Sequence, residues 1–211
     1  MTQKKLKIVA YSDYVCPFCY IGYYRIEQLK KEYDLEVEWK PFEIHPEIPK
    51  EGLSKDQLPF PPEYLEMLMA NVKRLAKEDG LTLSPAEKIV NSRLALYISE
   101  FARKKGKYDE FHELVLDKYW KEGKDVGDQS LLLELAESIG LNRDEILNYL
   151  ETDEPQKKVK EALAELSKLM INGVPTFIFN DKRMVIGAQP YETFVNVINK
   201  VLEEEASEIA D

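Results

Sequence analysis

The stretch from residue 7 to residue 42 limits what this chain can fold into more than any other. Residues 7–12 (KIVAYS) form a short β-rich run, and residues 35–42 (LEVEWKPF) alternate apolar with polar side chains. Between them Ile21, Tyr24, Ile26, Leu29 and Tyr33 recur at a mostly helical spacing. The spacing predicts a helix over 17–33, with Pro17 in its first turn, where a missing N–H costs nothing. A strand, a helix and a second strand make a βαβ unit, and right-handed crossover implies a parallel pair. The turn into the helix holds both cysteines of the chain, Cys16 and Cys19, separated by Pro17 and Phe18.

Downstream the pattern changes. Residues 61–151 are punctuated by helix signals and contain no convincing strand. Ser84, Pro85 and Glu87 read as a capping box with proline at the first helical position, and Asp128 and Asn142 read as N-caps. Gly80, Gly106, Gly123 and Gly140 fall where helices should stop. Four or five helices are expected, an all-α block inserted into an α/β domain. A further helix over 154–170 places Val159, Leu163, Leu166 and Met170 on one stripe, ended by Asn172 and Gly173. Residues 174–179 (VPTFIF) and 183–187 (RMVIG) read as a hairpin joined by Asn180, Asp181 and Lys182. Pro190 opens a closing helix with Phe194, Val197, Ile198 and Val201 inward, and the terminal EEEASEIAD reads as a frayed, solvated tail.

At 211 residues the chain fits one large domain or a domain with a sizeable insertion. With 44% hydrophobic and 32% charged residues it has the balance of a globular protein with a full core. A net charge of −10 argues against a nucleic-acid partner, because phosphate binding needs clustered positive charge. No apolar run approaches the length of a membrane span, and the N-terminal residues show no signal-peptide pattern, so a cytoplasmic location is expected. In a reducing compartment a Cys-x-x-Cys pair points to catalysis or metal binding rather than to a structural disulfide.

Helix positions three apart lie on one face, roughly 5–6 Å from each other. That separation is within what a disulfide tolerates. Cys16, at the helix start, gains thiolate stabilisation from unpaired N–H groups and the helix dipole, whereas Cys19 is expected to be more buried and more firmly protonated. Cys16 is then the attacking sulfur and Cys19 the resolving one. Structural zinc is the plainer alternative, but it wants four ligands. Only His45 and His112 remain of the soft kind, neither at ligand-like spacing, and no metal is expected. Val174–Pro175 opens a buried-looking strand with a residue that cannot donate to the ladder. Taken alone it reads as a trans proline at a strand edge, but the upstream βαβ unit with Cys-x-x-Cys at its turn reverses that preference toward a cis bond beside the cysteines, leaving the Val174 backbone free to pair with an extended substrate. Tyr11, Tyr14, Phe18, Tyr20, Tyr23 and Tyr24 crowd the active stretch. Half or more are expected in the core, Tyr24 among them, with Phe18 and Tyr20 partly exposed as a docking surface. Glu43, ending the second strand, is a candidate proton acceptor for Cys19.

Asp13, the run Cys16-Pro17-Phe18-Cys19-Tyr20-Ile21-Gly22, Pro41-Phe42-Glu43-Ile44-His45-Pro46 with Gly52, Gly173-Val174-Pro175-Thr176-Phe177 and Gly187-Ala188-Gln189-Pro190 together resemble the thioredoxin-fold DsbA superfamily, most closely its FrnE-like cytoplasmic branch. The resemblance implies an α/β thioredoxin fold (βαβ–ββα) interrupted by an all-α helical insertion. Residues 1–60 and 152–211 would form the thioredoxin-like domain and 61–151 the inserted helical domain. It implies a thiol:disulfide oxidoreductase working through a mixed disulfide, with Cys16 as nucleophile, Cys19 as resolving thiol and Pro175 as the cis-proline. Pro17, Phe18, Tyr20, Val174 and Pro175 would contact substrate. No cofactor is implied beyond the redox-active pair itself, with glutathione or protein thiols as partners and a monomer or a homodimer equally open. A neighbouring branch, kappa-class glutathione transferases and 2-hydroxychromene-2-carboxylate isomerases, shares fold and insertion but typically carries serine at the position of Cys16. A glutathione-dependent isomerase or transferase is therefore the alternative. Periplasmic DsbA has a thiolate-stabilising histidine where this chain has Phe18, so the pair should be less oxidising. Titration in a redox buffer should give a reduction potential between roughly −120 and −270 mV, the DsbA and thioredoxin values; a potential below thioredoxin's would contradict this.

Overall fold

In the computed structural model, which describes residues 5–58, 60–84, 86 and 88–210, the chain begins with β1 (Leu6–Ser12), α1 (Pro17–Leu29) and β2 (Leu35–Pro41). β3 (Leu53–Ser54), α2 (Pro62–Glu78) and β4 (Lys88–Ile89) come next, and then α3 (Arg93–Lys104), α4 (Tyr108–Trp120), α5 (Gln129–Ser138) and α6 (Arg143–Leu150). The chain closes with α7 (Glu154–Lys168), β5 (Thr176–Phe179), β6 (Arg183–Ile186) and α8 (Tyr191–Ala210). The main sheet has the order β2-β1-β5-β6, with β2 parallel to β1 and the other two strands antiparallel to their neighbours. β1 is therefore internal. Its alternation sends Leu6, Ile8 and Ala10 into one cluster with Ile26 and Leu29 of α1 and Phe194 and Ile198 of α8. Tyr11 points to the opposite face, against Ala162 and Leu166 of α7. None of the described helices is long and apolar enough to cross a membrane.

Local signals account for most of the helical block. The Asp128 carboxylate accepts from Ser130 N–H at 2.8 Å, and the Asn142 side chain accepts from Glu145 N–H at 3.0 Å. The four glycines expected to stop helices come just after α2, α3, α4 and α5, each with positive φ. Five helices, α2 to α6, fill the region expected to hold four or five.

Several boundaries differ from expectation. α1 stops at Leu29, short of Tyr33, because Lys31 and Glu32 N–H tighten onto carbonyls three residues back, Gln28 and Leu29, at 3.0 Å each. Pro85 and Glu87 of the expected capping box lie outside the described residues, and the next element is a strand rather than a helix: Lys88–Ile89 pairs antiparallel with Leu53–Ser54. Gly52, with φ of 76°, permits this pairing, since a Cβ there would lie 2.8 Å from the Ile89 carbonyl oxygen.

α7 ends at Lys168, and the chain turns through Met170 at φ of 55°. Ile171 N–H bonds the Leu166 carbonyl at 3.0 Å, so Ile171 packs with Leu166 and Ala162 while Leu163 and Met170 are exposed. The expected inward stripe of Leu163 and Met170 is thus wrong. So is the frayed tail: α8 continues to Ala210, and Glu204, Glu205 and Glu208 bond Arg183, Asn180 and Lys182 across the β5–β6 turn. β5 begins at Thr176, two residues later than expected, past Pro175, which has no N–H for the ladder.

Gly22 governs how closely α1 meets the sheet. A Cβ there would lie 2.8 Å from Phe177 Cζ and 3.2 Å from Pro175 Cγ. The Phe177 ring has no room to retreat, being buried against Trp39 and Phe194. Gly22→Ala should therefore destabilise by about 1–2 kcal/mol in urea unfolding, overpacking outweighing alanine's better helix propensity. An unchanged or raised midpoint would show that the contact is slack.

Candidate active site

β1 delivers the chain to a turn that ends in Cys16, the N-cap of α1, with Pro17 at the first helical position. Cys16 O accepts from Cys19 N–H at 3.1 Å and from Tyr20 N–H at 3.2 Å, so the two cysteines share the first turn. Both are free thiols. Cys16 Sγ donates to the Val174 carbonyl at 3.7 Å, and the Val174–Pro175 peptide bond is cis. Cys16 is 3% exposed and Cys19 fully buried. Burial, then the neighbouring Cys16 sulfur, pushes the Cys19 thiol well above its ordinary range, opposed by the nearby Asp13 N–H and Ser12 hydroxyl.

The turn is pinned by Asp13. Its carboxylate accepts from Ile44 N–H at 2.7 Å and Val15 N–H at 3.3 Å, and its carbonyl accepts from Cys16 N–H at 3.3 Å. Burial raises its pKa to about 6 in spite of those bonds. Glu43, the expected proton acceptor, instead pairs with Arg93 Nη2 at 2.9 Å. Asp13 stood in the resemblance, but a single acid after a strand carries no pattern that marks it as buried.

Arg25, on the buried side of α1, is the other residue that spacing did not single out. Its Nε donates to Asp79 at 2.9 Å, and its Nη1 donates to the carbonyls of Ala188, at 2.9 Å, and Gln189. In the same loop Gly187 N–H bonds Pro175 O at 2.7 Å. A charged side chain on a helix's inward face is a signal that it has buried partners.

Cys16, and not Cys19, borders an apolar cavity of about 310 Å³. Pro17, Phe18 and Val174 line it from the thioredoxin side, and Tyr64, Leu68 and Met69 of α2 from the helical block. Phe18 is half-buried, as expected. Tyr20 is not exposed: it is 1% accessible and stacks on Trp120 of α4, 6.0 Å between centroids. Tyr11, Tyr14 and Tyr23 are also core, whereas Tyr24, expected inward, is half-buried. The crowd of tyrosines is thus mostly the seam between sheet and helices. Pro175 is buried beside Gly22 and is not among the cavity's lining residues.

His112 belongs to that seam. Its Nδ1 lies 3.1 Å from Tyr14 Oη, which in turn bonds Ser99 Oγ. Its ring stacks between Trp39 and Tyr108, at 5.0 and 5.3 Å, and burial drops its pKa to about 3. Trp120 Nε1 donates to Tyr14 O at 2.9 Å, tying α4 to the residue two before Cys16. His45 bonds Glu47 at 3.0 Å.

The raised Asp13 pKa has a signed consequence. Between about pH 4 and 6 the folded state holds a proton that the unfolded chain has released, so stability falls as pH rises through that window. Asp13→Asn should remove this fall. Relative to the parent, its unfolding free energy should gain about 3 kcal/mol between pH 4 and pH 7, read from urea melts. A pH-independent difference would contradict the raised pKa.

A family model described as a DSBA-like thioredoxin domain matches residues 7–199. The uncharacterized protein YwbO of Bacillus subtilis is 31% identical over 196 residues, 91% of this chain and 95% of YwbO. A 2-hydroxychromene-2-carboxylate isomerase from Sphingobium xenophagum is 23% identical over 176 residues, 82% of this chain and 88% of that protein. The crystal structure of a probable DsbA oxidoreductase from Streptomyces coelicolor has the same fold, with a TM-score of 0.82 at 23% identity over 94% of this chain and 91% of that one. With the cysteine helix, the sheet order and a match over most of its length, the chain belongs to the DSBA-like thioredoxin-domain family of thiol–disulfide oxidoreductases and their isomerase relatives.

Proposed function

We propose that the protein is a cytoplasmic, FrnE-like thiol:disulfide oxidoreductase that exchanges its Cys16–Cys19 dithiol with disulfides of proteins or small thiols such as glutathione. The observation that carries this reading is the asymmetry of the pair. Both cysteines share the first turn of α1, yet only Cys16 borders the cavity, while Cys19 lies behind it with a thiol that burial keeps protonated. Such a pair divides into an attacking and a resolving sulfur.

In the proposed cycle the Cys16 thiolate attacks a substrate disulfide, one substrate thiolate leaves, and Cys16 is joined to the other substrate sulfur. Cys19 then attacks Cys16, the Cys16–substrate bond breaks, and the second substrate thiol departs. The enzyme pair is oxidised and the substrate reduced by two electrons, and the reverse sequence oxidises a dithiol. Pro17, Phe18 and Val174 would flank the mixed disulfide, with the Val174 carbonyl at the attacking sulfur and Pro175 holding that segment in place. Residues 61–151 act as the inserted domain that walls the cavity, and residues 1–60 with 152–211 carry the chemistry. No metal or organic cofactor enters the cycle.

The relationship to an isomerase favours one alternative, a glutathione-dependent isomerase in which Cys19 has no chemical role. Substitutions separate the two. Cys16→Ser should abolish insulin reduction, lowering the rate at least 100-fold, and Cys19→Ser should accumulate a covalent adduct with the substrate, detected by mass spectrometry on non-reduced samples. Full activity in Cys16→Ser would eliminate the exchange mechanism, and isomerase turnover surviving in Cys19→Ser would favour the alternative.

A further inference from the structure

Resolution of a mixed disulfide requires Cys19 as a thiolate, and the structure buries it completely. The nearby carboxylates are occupied. Glu43 pairs with Arg93, and the Asp13 carboxylate faces the N–H groups of Ile44 and Val15. Besides the Cys16 sulfur, the groups that face the Cys19 sulfur are the Asp13 N–H and the Ser12 hydroxyl.

The position of Ser12 is set by the pleat. Side chains two apart on β1 share a face, so Ser12 continues the row Leu6, Ile8, Ala10 that packs beneath α1. Three members of the row are apolar and the fourth is a hydroxyl, 3% exposed. Its carbonyl accepts from Phe42 N–H at 2.9 Å, but its hydroxyl oxygen has no hydrogen-bond partner among the described residues. Packing alone would be served by another alanine, and a buried hydroxyl left unpaired is unfavourable. The donor is thus idle while Cys19 is a thiol and lies beside the atom where negative charge must appear.

We propose that Ser12 is a catalytic residue of the resolving step, its hydroxyl joining the Asp13 N–H in a two-donor cradle for the Cys19 thiolate. This rests on the dithiol-exchange reading. In the step the Cys19 thiolate attacks Cys16 Sγ, the Cys16–Cys19 bond forms, and the Cys16–substrate bond breaks with its electron pair on the substrate sulfur. The proton shed by Cys19 ends on that departing thiolate. Ser12 keeps its own proton and changes only its hydrogen bond. A donor idle in the ground state and engaged as charge develops lowers the barrier rather than tightening substrate binding.

The test mixes the reduced full chain with bis(nitrobenzoate) aryl disulfide in a stopped-flow instrument. A first burst of coloured nitrothiolate reports attack by Cys16, and a second reports resolution by Cys19. Ser12→Ala should leave the first burst unchanged and slow the second about tenfold at pH 7, shifting its pH midpoint upward by about one unit. Ser12→Thr and Ser12→Val, equal in shape and differing in the hydroxyl, give a second comparison independent of how well alanine folds. The threonine protein should resolve about tenfold faster than the valine protein. Equal second bursts within these pairs overturn the cradle and leave dithiol exchange standing. A parent protein with no second burst overturns both.

Discussion

A buried guanidinium holds the cysteine helix to its surroundings. Arg25, 2% exposed, is shared between the Asp79 carboxylate at the end of α2 and two carbonyls of the loop after β6. Removing two charges from water costs several kcal/mol per ion, and removing one partner alone leaves the other charge uncompensated, at about 3–5 kcal/mol. Burial acts to raise the Asp79 pKa and Arg25 to lower it. The cysteine helix, the helix that walls the cavity and the loop bonded to Pro175 are therefore tied at one atom group. Gly22 sets how closely the cysteine helix meets the sheet, and Asp13 fixes the turn that enters the helix.

This arrangement sets the helical block against the cysteine turn. Cys16 borders a cavity that Tyr64, Leu68 and Met69 of α2 also line. A largely apolar entrance selects by shape and desolvation and carries little charge of its own, in a chain whose formal net charge is −10. The first turn of α1 carries both sulfurs, and α2 lines the cavity beside Cys16.

Much of this was legible in sequence because it is written locally. The β-rich run of residues 7–12, Pro17 at the helix start, side-chain caps at Asp128 and Asn142 and the cysteine spacing each depend on neighbours a few residues away. Most of the misreadings concern where a segment packs rather than its own period. Helical period cannot say which face meets another element, so Leu163 and Met170 were expected inward, although the chain turns at Met170 to bury Ile171. The acidic C-terminus looked frayed because Lys182 and Arg183, which receive its glutamates, sit on a hairpin some twenty residues earlier. A two-residue strand such as Lys88–Ile89 has no period to detect. At the site, the cysteines were visible as a pair, while Asp13, Arg25 and Ser12 each stand alone in sequence and become meaningful only through burial.

The seam at His112 has a direction. Ser99 Oγ donates its only proton to Ala95 O at 2.7 Å, so it must accept from the Tyr14 hydroxyl, and Tyr14 must accept from His112 Nδ1–H. The imidazole is thereby assigned one neutral tautomer, with a bare Nε2 that has no partner among the described residues. Three elements, the cysteine turn, α3 and α4, are joined by a relay that reads in one sense only. Shifting α3 by a turn against α4 would part Ser99 from Tyr14 and leave the buried Tyr14 hydroxyl proton without an acceptor. The polar thread thus acts as a register key for a largely apolar interface, aligning α3 and α4 with the turn that leads to Cys16.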